Sequence, residues 1–289
     1  QAGLHMATIE HNLLKYSQPW MRRFAGTVKS FDLAYRSYSL LERKQYRARN
    51  RPFIVANSSM VRGHFEHYYG IPAREIRVVH SAIDPTRFAE DDRPRRRLEF
   101  RDKFGIGPDA VVGLFIAMNY RLKGLEPLLH AMGNLPKEKS IQLLVVGNPD
   151  TRRYESLALR LGIADRVCFA GYHSDTRNSF FASDFLIHPT FYDPCSLVVL
   201  EALACGLPVI TSRFNGASEL LNPPHDGYVI EDPHDHAHLG WCMTQLLDPL
   251  RRAACGQAIR RKAGQWTFDH HYRQLMEVLG EAARPKIAA

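Results

Sequence analysis

From residue 111 onward, short apolar runs alternate with longer stretches whose apolar positions recur at helical spacing. The runs at 111–116, 141–146, 167–170, 184–187, 208–211 and 228–230 have the length of strands and the near-continuous apolar character of strands buried on both faces. Behind the first of them, Leu125, Leu128, Leu129 and Met132 fall at i, i+3, i+4 and i+7, one face of a helix. Strands alternating with helices of this length imply right-handed crossovers and a parallel sheet covered on both sides. A complete doubly wound α/β domain is expected from about residue 100 to about 264. Its chemistry belongs in the loops at the carboxyl ends of the strands.

The first 84 residues follow another pattern. Helical stretches are expected at 8–16, 32–50 and 60–69, but only 53–56 and 76–79 read as strands. Two strands do not make an independently stable sheet. This half therefore reads as the tail portion of a second Rossmann-like domain whose earlier strands precede the sequence, which opens at Gln1 rather than Met. Residues 85–98, rich in Asp, Arg and Pro, read as a linker. The expected partition is a partial N-terminal domain at 1–84, linker and complete C-terminal α/β domain at 85–264, and a terminal segment at 265–289. The helix of that last segment, 268–283, is expected to pack back on the first half.

Composition narrows the class. With 45% apolar and 24% charged residues, a chain of 289 can bury a real core and is not disordered. The longest apolar run, 111–118, falls far short of the ~18 residues of a membrane span. Five cysteines (Cys168, Cys195, Cys205, Cys242, Cys255) show no metal-binding spacing, and their odd number argues against a disulfide framework. Both point to a reducing compartment. Lys and Arg number 38 against 30 Asp and Glu, a net charge of +8 that favours anionic partners. The densest basic clusters, 93–97 and 260–262, carry no interleaved aromatics. They read as a solvated loop and a solvated helix face rather than as a nucleic-acid site.

The most informative stretch runs from Phe191 to Pro208 (FYDPCSLVVLEALACGLP). Asp193 precedes a proline, which disfavours helical geometry and leaves it in a loop. Ser196 is a natural N-cap, and Gly206 and Pro208 end the helix. Between 197 and 205 every side chain is apolar except Glu201, the pattern of a buried helix. A carboxylate on such an element needs dedicated donors, either an arginine or the hydroxyls of a ligand. The free amides expected at Ser196, Leu197 and Val198 form an anion site by geometry and dipole. A second candidate follows the run at 111–116, where Arg121 and Lys123 stand in a strand-to-helix loop. Arg grips a phosphate with paired hydrogen bonds and Lys adds a point charge.

Weaker signals accompany these. Gly147 followed by Asn148, and Asn215-Gly216 with Glu219 beyond, mark turns where backbone can approach a ligand or simply turn. His234, His236 and His238 have the look of a metal tract but lie in a polar loop entering a helix, so no metal is assigned. The sequence has no Walker loop, no GxGxxG and no Ser-His-Asp signature.

With these residues placed, the sequence resembles the retaining glycosyltransferases of family 4, of GT-B architecture, and within them the lipopolysaccharide core glucosyltransferase I type. The matching elements, in order, are 79–84 (VHSAID) with Phe88, Arg121 with Lys123-Gly124, 143–147, 167–171 and 184–189. The acidic-x7-Glu motif from Asp193 to Glu201 and the GLPV at 206–209 follow. The match covers about 42–232. The resemblance implies transfer of a hexose, expected to be glucose, from a nucleotide diphosphate sugar to a cell-envelope glycan or glycolipid acceptor, with retention. It makes Asp193, Arg121 and Lys123 the candidate catalytic residues. Arg121 and Lys123 would hold the donor diphosphate and Asp193 the sugar hydroxyls. Gly147, Ser196, Leu197, Val198 and Glu201 would bind the donor, Glu201 at the ribose. No metal is implied, because cations and a helix dipole stabilise the leaving nucleotide. Cytoplasmic placement with peripheral contact at an anionic membrane fits the basic surface. The family usually has Glu where this chain has Asp193, which bears on the choice of sugar. Its glycine-rich loop and catalytic acidic or His residue fall before Gln1, with His5 a possible remnant.

Three alternatives are distinguishable. A nucleotide-sugar epimerase would release isomers without an acceptor. A non-catalytic module would bind a nucleotide sugar without turnover, and a nucleic-acid binder would show salt-sensitive binding.

Overall fold

A computed structural model describes residues 4–48, 51–89, 92–136 and 141–283. The expected helical residues 49–50, part of the expected linker (90–91) and the ends of the two outer segments (1–3 and 284–289) lie outside the described residues.

The first half contains α1 (His5–Leu14), α2 (Pro19–Ser30), α3 (Leu33–Tyr46), β1 (Ile54–Ala56), α4 (Ser59–Tyr69) and β2 (Ile76–Val78). The sequence reading had no counterpart for α2, a helix that buries none of its residues. Without a buried face, its apolar positions lack the pairing with a core that makes a helix easy to read. β1 and β2 pair in parallel as a two-stranded sheet. Ile54, Ala56, Val61, Phe65 and Ile76 share a small core with Leu4 and Ala7.

The second half contains α5 (Arg93–Lys103), β3 (Val111–Ala117), α6 (Leu125–Gly133), β4 (Ile141–Gly147), α7 (Arg152–Arg160), β5 (Val167–Gly171), α8 (Arg177–Ala182) and β6 (Phe185–His188). Then follow α9 (Leu197–Ala204), β7 (Val209–Ser212), β8 (Gly227–Ile230), α10 (His236–Gln245), α11 (Pro249–Arg261) and α12 (Phe268–Ala283). All six strands are parallel, in the order β5-β4-β3-β6-β7-β8. Side chains alternate between two cores, as the strand period of two requires. Val112, Leu114 and Ile116 face α8 and α9, while Phe115 and Ala117 face α6 and α10. The order reverses direction between β3 and β6. That is the switch point where crossovers diverge and a crevice opens at the strands' carboxyl ends.

Residues 93–98 are helix, not linker. Pro94 sits in the first turn of α5, where its missing N–H is tolerated. The basic run there is not a solvated loop either. Arg97 donates to Asp184 at 2.8 Å and to the carbonyls of Phe181 and Ser183. Arg101, only 1% exposed, donates to Asp184 at 3.0 Å and to four backbone carbonyls.

α12 returns to the first half of the chain. The Ile83 N–H donates to the Trp266 carbonyl at 3.0 Å, Nδ1 of His271 lies 2.7 Å from the His80 carbonyl, and Arg77 of β2 pairs with Glu281 at 2.7 Å.

Candidate functional site

The crevice is built by the loops that follow β3 and β6. Lys123 ends the first loop, just before Gly124, whose φ of 84° and contact with β6 exclude any side chain. A Cβ on Gly124 would stand 2.1 Å from the Pro189 carbonyl oxygen. The Phe191 N–H and the Thr190 hydroxyl both donate to the Leu122 carbonyl, at 2.9 and 3.2 Å. With the loops so joined, the Lys123 ammonium donates to Asp193 Oδ2 at 2.7 Å and to the Tyr192 carbonyl at 3.0 Å.

Asp193 is held by backbone as well. Its N–H donates to the Phe214 carbonyl at 2.9 Å, and its own carbonyl accepts from Gly216 at 2.8 Å. Gly216 has no room for a methyl group: a Cβ would lie 1.9 Å from the Pro194 carbonyl oxygen and 2.4 Å from Ser58 Oγ. Burial works against the Asp193 charge, but His188 and Lys123 outweigh it and hold the carboxyl at about 2. His188, at the end of β6, was not singled out in the sequence. Its Nε2 stands 3.7 Å from Asp193 Oδ2, and neither ring nitrogen has a hydrogen-bond partner among the described residues. Burial lowers its pKa, with Asp193 pulling the other way. A histidine at the carboxyl end of a strand at the switch point was the available signal.

α9 begins at Leu197, with Ser196 as N-cap but no side-chain cap bond. The Ser196 amide, expected from the sequence to be free, is taken. It donates to Asn215 Oδ1 at 3.2 Å, an oxygen that also accepts from Ala217 at 3.0 Å. The Leu197 and Val198 amides have no partner among the described residues. The helix is not buried all round. Val199, Leu200, Ala202 and Leu203 are buried, but Leu197 is 51% exposed and Glu201 and Ala204 are half-buried. The physical reason is position: α9 lies at the rim of the crevice, so one side meets no neighbour. Glu201 stands one turn beyond Leu197 and makes no ion pair among the described residues. Burial pushes its carboxyl up to about 7, opposed only by the charge of Arg87.

A cavity of about 520 Å³ opens at the start of α9. Asp193, Pro194, Cys195 and Leu197 line one side, and Asn57, Ser81, Ala82, Phe268 and His271 the other. It lies between the two halves of the chain. Their junction is fixed by Ser58, whose hydroxyl donates to the Pro194 carbonyl at 2.7 Å. Glu219 adds to it by accepting from the Ser59 and Met60 amides at 2.8 and 2.7 Å, capping α4 from across the junction. Tyr192 inserts into the core of the first half. Sequence periodicity carries no trace of these cross-junction bonds.

Other expected residues stand elsewhere. Arg121 stands apart from the Lys123–Asp193 contact: its guanidinium lies 4.9 Å from the centre of the Tyr16 ring and lines a smaller cavity. Leu122 between the two cations packs against the core of the first half. Gly147 closes β4 against β3, where a Cβ would stand 2.0 Å from the Ala117 carbonyl oxygen. His5 stacks on Tyr38 of α3 with ring centres 5.0 Å apart. The histidine tract disperses: His234 Nε2 donates to the Leu14 carbonyl at 2.8 Å, His236 stacks on His130 and His238 lies near Trp241. Among the described residues no three His, Cys, Asp or Glu side chains converge as a metal site.

Comparison with known proteins agrees with this fold. The family described as glycosyl transferases group 1 matches residues 96–262. Among curated relatives, the lipopolysaccharide glucosyltransferase WaaG of Escherichia coli K12 is 28% identical over 224 residues, 76% of this chain and 60% of that protein. A D-inositol 3-phosphate glycosyltransferase of Geodermatophilus obscurus is 30% identical over 253 residues, 82% of this chain and 54% of that one. The chain thus spans little more than half the length of these relatives. The crystal structure of WaaG superposes with a TM-score of 0.73 at 24% identity, covering 87% of this chain and 68% of that one. Anabaena HepE in complex with UDP-glucose gives 0.71 at 23%, covering 85% and 67%. These likenesses show the fold, α/β of the GT-B type. With more than half of its residues matched by the family model and the parallel sheet in place, the chain belongs to the group 1 glycosyltransferases.

Proposed function

We propose that the chain binds a nucleotide diphosphate sugar, uridine diphosphate glucose foremost, and serves its transfer to a cell-envelope glycan or glycolipid acceptor. The single observation that carries this reading is the Lys123–Asp193 pair together with the unpartnered Leu197 and Val198 amides at the start of α9, with Asp193 and Leu197 lining one 520 Å³ cavity. Phosphate oxygens compete with Asp193 for the Lys123 ammonium and accept from the two amides, so charge that develops on the leaving diphosphate meets donors already in place. Asp193, released from the lysine but still ionised, accepts from hydroxyls of the sugar. Glu201, one turn further along α9, accepts from a ribose diol, which supplies the donors its half-buried carboxylate lacks. His188 steadies the Asp193 charge from behind. No metal enters this scheme. The resemblance adds retention of configuration.

Contact with an anionic membrane belongs to the same reading. Trp20, Phe24 and Val28 form an exposed stripe along α2, beside Arg22 and Arg23, the composition of a helix that lies in a lipid interface. No helix among the described residues is long and apolar enough to cross a membrane. The five cysteines are all unpaired, which suits a reducing cytoplasmic side.

Calorimetric titration with uridine diphosphate tests the donor site directly. Binding that weakens in both Lys123→Ala and Glu201→Gln supports the reading, and equal affinity in all three proteins sinks it. Release of epimerised sugar without an acceptor would favour an epimerase instead.

A further inference from the structure

Two histidines that the donor site does not use face each other at the junction between the halves. His11 stands on α1 and His64 on α4, with ring centres 5.1 Å apart. Both rings pack on the second half. His11 lies 4.9 Å from the Tyr192 ring and 5.6 Å from the Phe214 ring, and His64 lies 5.8 Å from Tyr192. Tyr192 is buried in the loop after β6 and Phe214 follows β7, so two loops of the second half meet the pair. The same stretch of backbone carries the Lys123–Asp193 contact: the Tyr192 carbonyl accepts from Lys123, and Asp193 comes next.

The surroundings suit the neutral rings. His11 Nδ1–H donates to the Ala7 carbonyl at 2.9 Å. His64 Nδ1 is buried and has no hydrogen-bond partner among the described residues. A charged imidazole carries a proton on both nitrogens, so a charged His64 buries an N–H without an acceptor, facing a second histidine. Burial holds the His64 ring at about 4 and lowers His11 as well. Other charged and titratable groups come from every side. Glu10 of α1 draws protons toward both rings, but it also accepts from the Tyr68 hydroxyl of α4. His67 of α4 works against charge on His64, and Arg213 beside Phe214 against charge on His11.

We propose that the His11–His64 pair is an acid-sensitive catch on the junction: proton uptake by the pair frees α1 and α4 from Tyr192 and Phe214 and leaves Lys123 on Asp193. The proton comes from water once the rings part. Because His64 binds it more weakly in the closed junction than in an open one, closure is fully supported above about 6.5 and loses support as pH falls toward 4. From pH 7 to pH 5, His64 alone favours opening by ~20-fold. The catch does not rest on the donor reading, because it acts on the contact between the halves.

Hydrogen exchange tests it, with chemical exchange rates divided out. The reporters are the Ser59 and Met60 amides, which donate across the junction to Glu219. Glu219 keeps its charge at pH 5: burial opposes it, but His80 and these two amides hold its carboxyl below the usual range. The chain is compared with a His11→Gln, His64→Gln double variant at pH 7 and pH 5. A loss of protection of ~20-fold in the parent, shrinking to less than ~3-fold in the variant, supports the proposal. Equal protection at the two pH values overturns it. An equal loss in parent and variant also overturns it, and assigns the effect to another group such as His80. Should the double variant fail to fold, the His64 ring is titrated by proton NMR in the parent. Titration near 4 together with the parent's loss of protection supports the catch, and titration at about 6.5 overturns it.

Discussion

The Lys123 ammonium and the Asp193 carboxylate, 2.7 Å apart, bridge the loops that follow two neighbouring strands, β3 and β6. The contact is largely shielded from water, so it is worth more than a surface pair, and it keeps Asp193 ionised in a place where burial alone would protonate it. Replacing Lys123 by Ala is expected to weaken uridine diphosphate binding by ~10- to 100-fold, the scale of one charge-assisted hydrogen bond. Lys123→Arg should recover part of it. Titration calorimetry measures both.

Glu201 gives the site a pH dependence. Its carboxyl sits at about 7, and in the proposed donor site it is the ionised form to which ribose hydroxyls would donate. Nucleotide affinity is therefore expected to rise between pH 6 and 8, and the Glu201→Gln variant should flatten that profile. Stability moves the opposite way. A carboxyl raised in the folded state binds its proton more tightly there than in the unfolded chain. Its contribution is present below the ordinary Glu range and is lost as pH rises through about 7. Thermal unfolding at pH 6 and 8 should show a smaller decline for Glu201→Gln than for the parent.

Gly216 is the narrowest point of the junction. A methyl group there meets the Pro194 carbonyl and the Ser58 hydroxyl at once, both of which belong to the bond that ties the two halves. Gly216→Ala is expected to destabilise the chain by on the order of 2–4 kcal/mol, read from denaturant unfolding. A change below ~0.5 kcal/mol would show that the junction relaxes freely.

Asp184 carries three donors, from Arg97, Arg101 and the Val112 amide at 2.8, 3.0 and 2.7 Å. Removing it leaves the Arg101 charge buried with backbone carbonyls alone. Asp184→Ala should cost about 3–5 kcal/mol and lower the Tm by about 10 °C, with uridine diphosphate affinity unchanged in the folded fraction.

How much of this could be read in the sequence follows from which interactions are local. The six strands were legible because a parallel strand covered on both faces is an unbroken apolar run, and Leu125 to Met132 displayed their helical face directly. Asp193 before Pro194, and Ser196 and Gly206 around α9, announced a loop and a helix by local chemistry. What a side chain meets across the crevice was not legible. Nothing near Ser196 in sequence says that Asn215 takes its amide, or that α9 runs along a rim with Leu197 in the open. Arg121 and Lys123 look like a pair two residues apart, yet Lys123 meets Asp193 while Arg121 lies over the Tyr16 ring. The Arg97 guanidinium resembled solvated charge until Asp184, more than eighty residues away, came beside it.

The close fit of Gly124 on Pro189 has a mechanical consequence. With no space for even a methyl group, and with Leu122 receiving two bonds from the opposite loop, the lysine and the aspartate ride on one rigid plate. Motion between the halves of the chain then falls on the junction bonds, from Ser58 to Pro194, from the α4 amides to Glu219 and from Ile83 to Trp266, and leaves the lysine–aspartate contact intact.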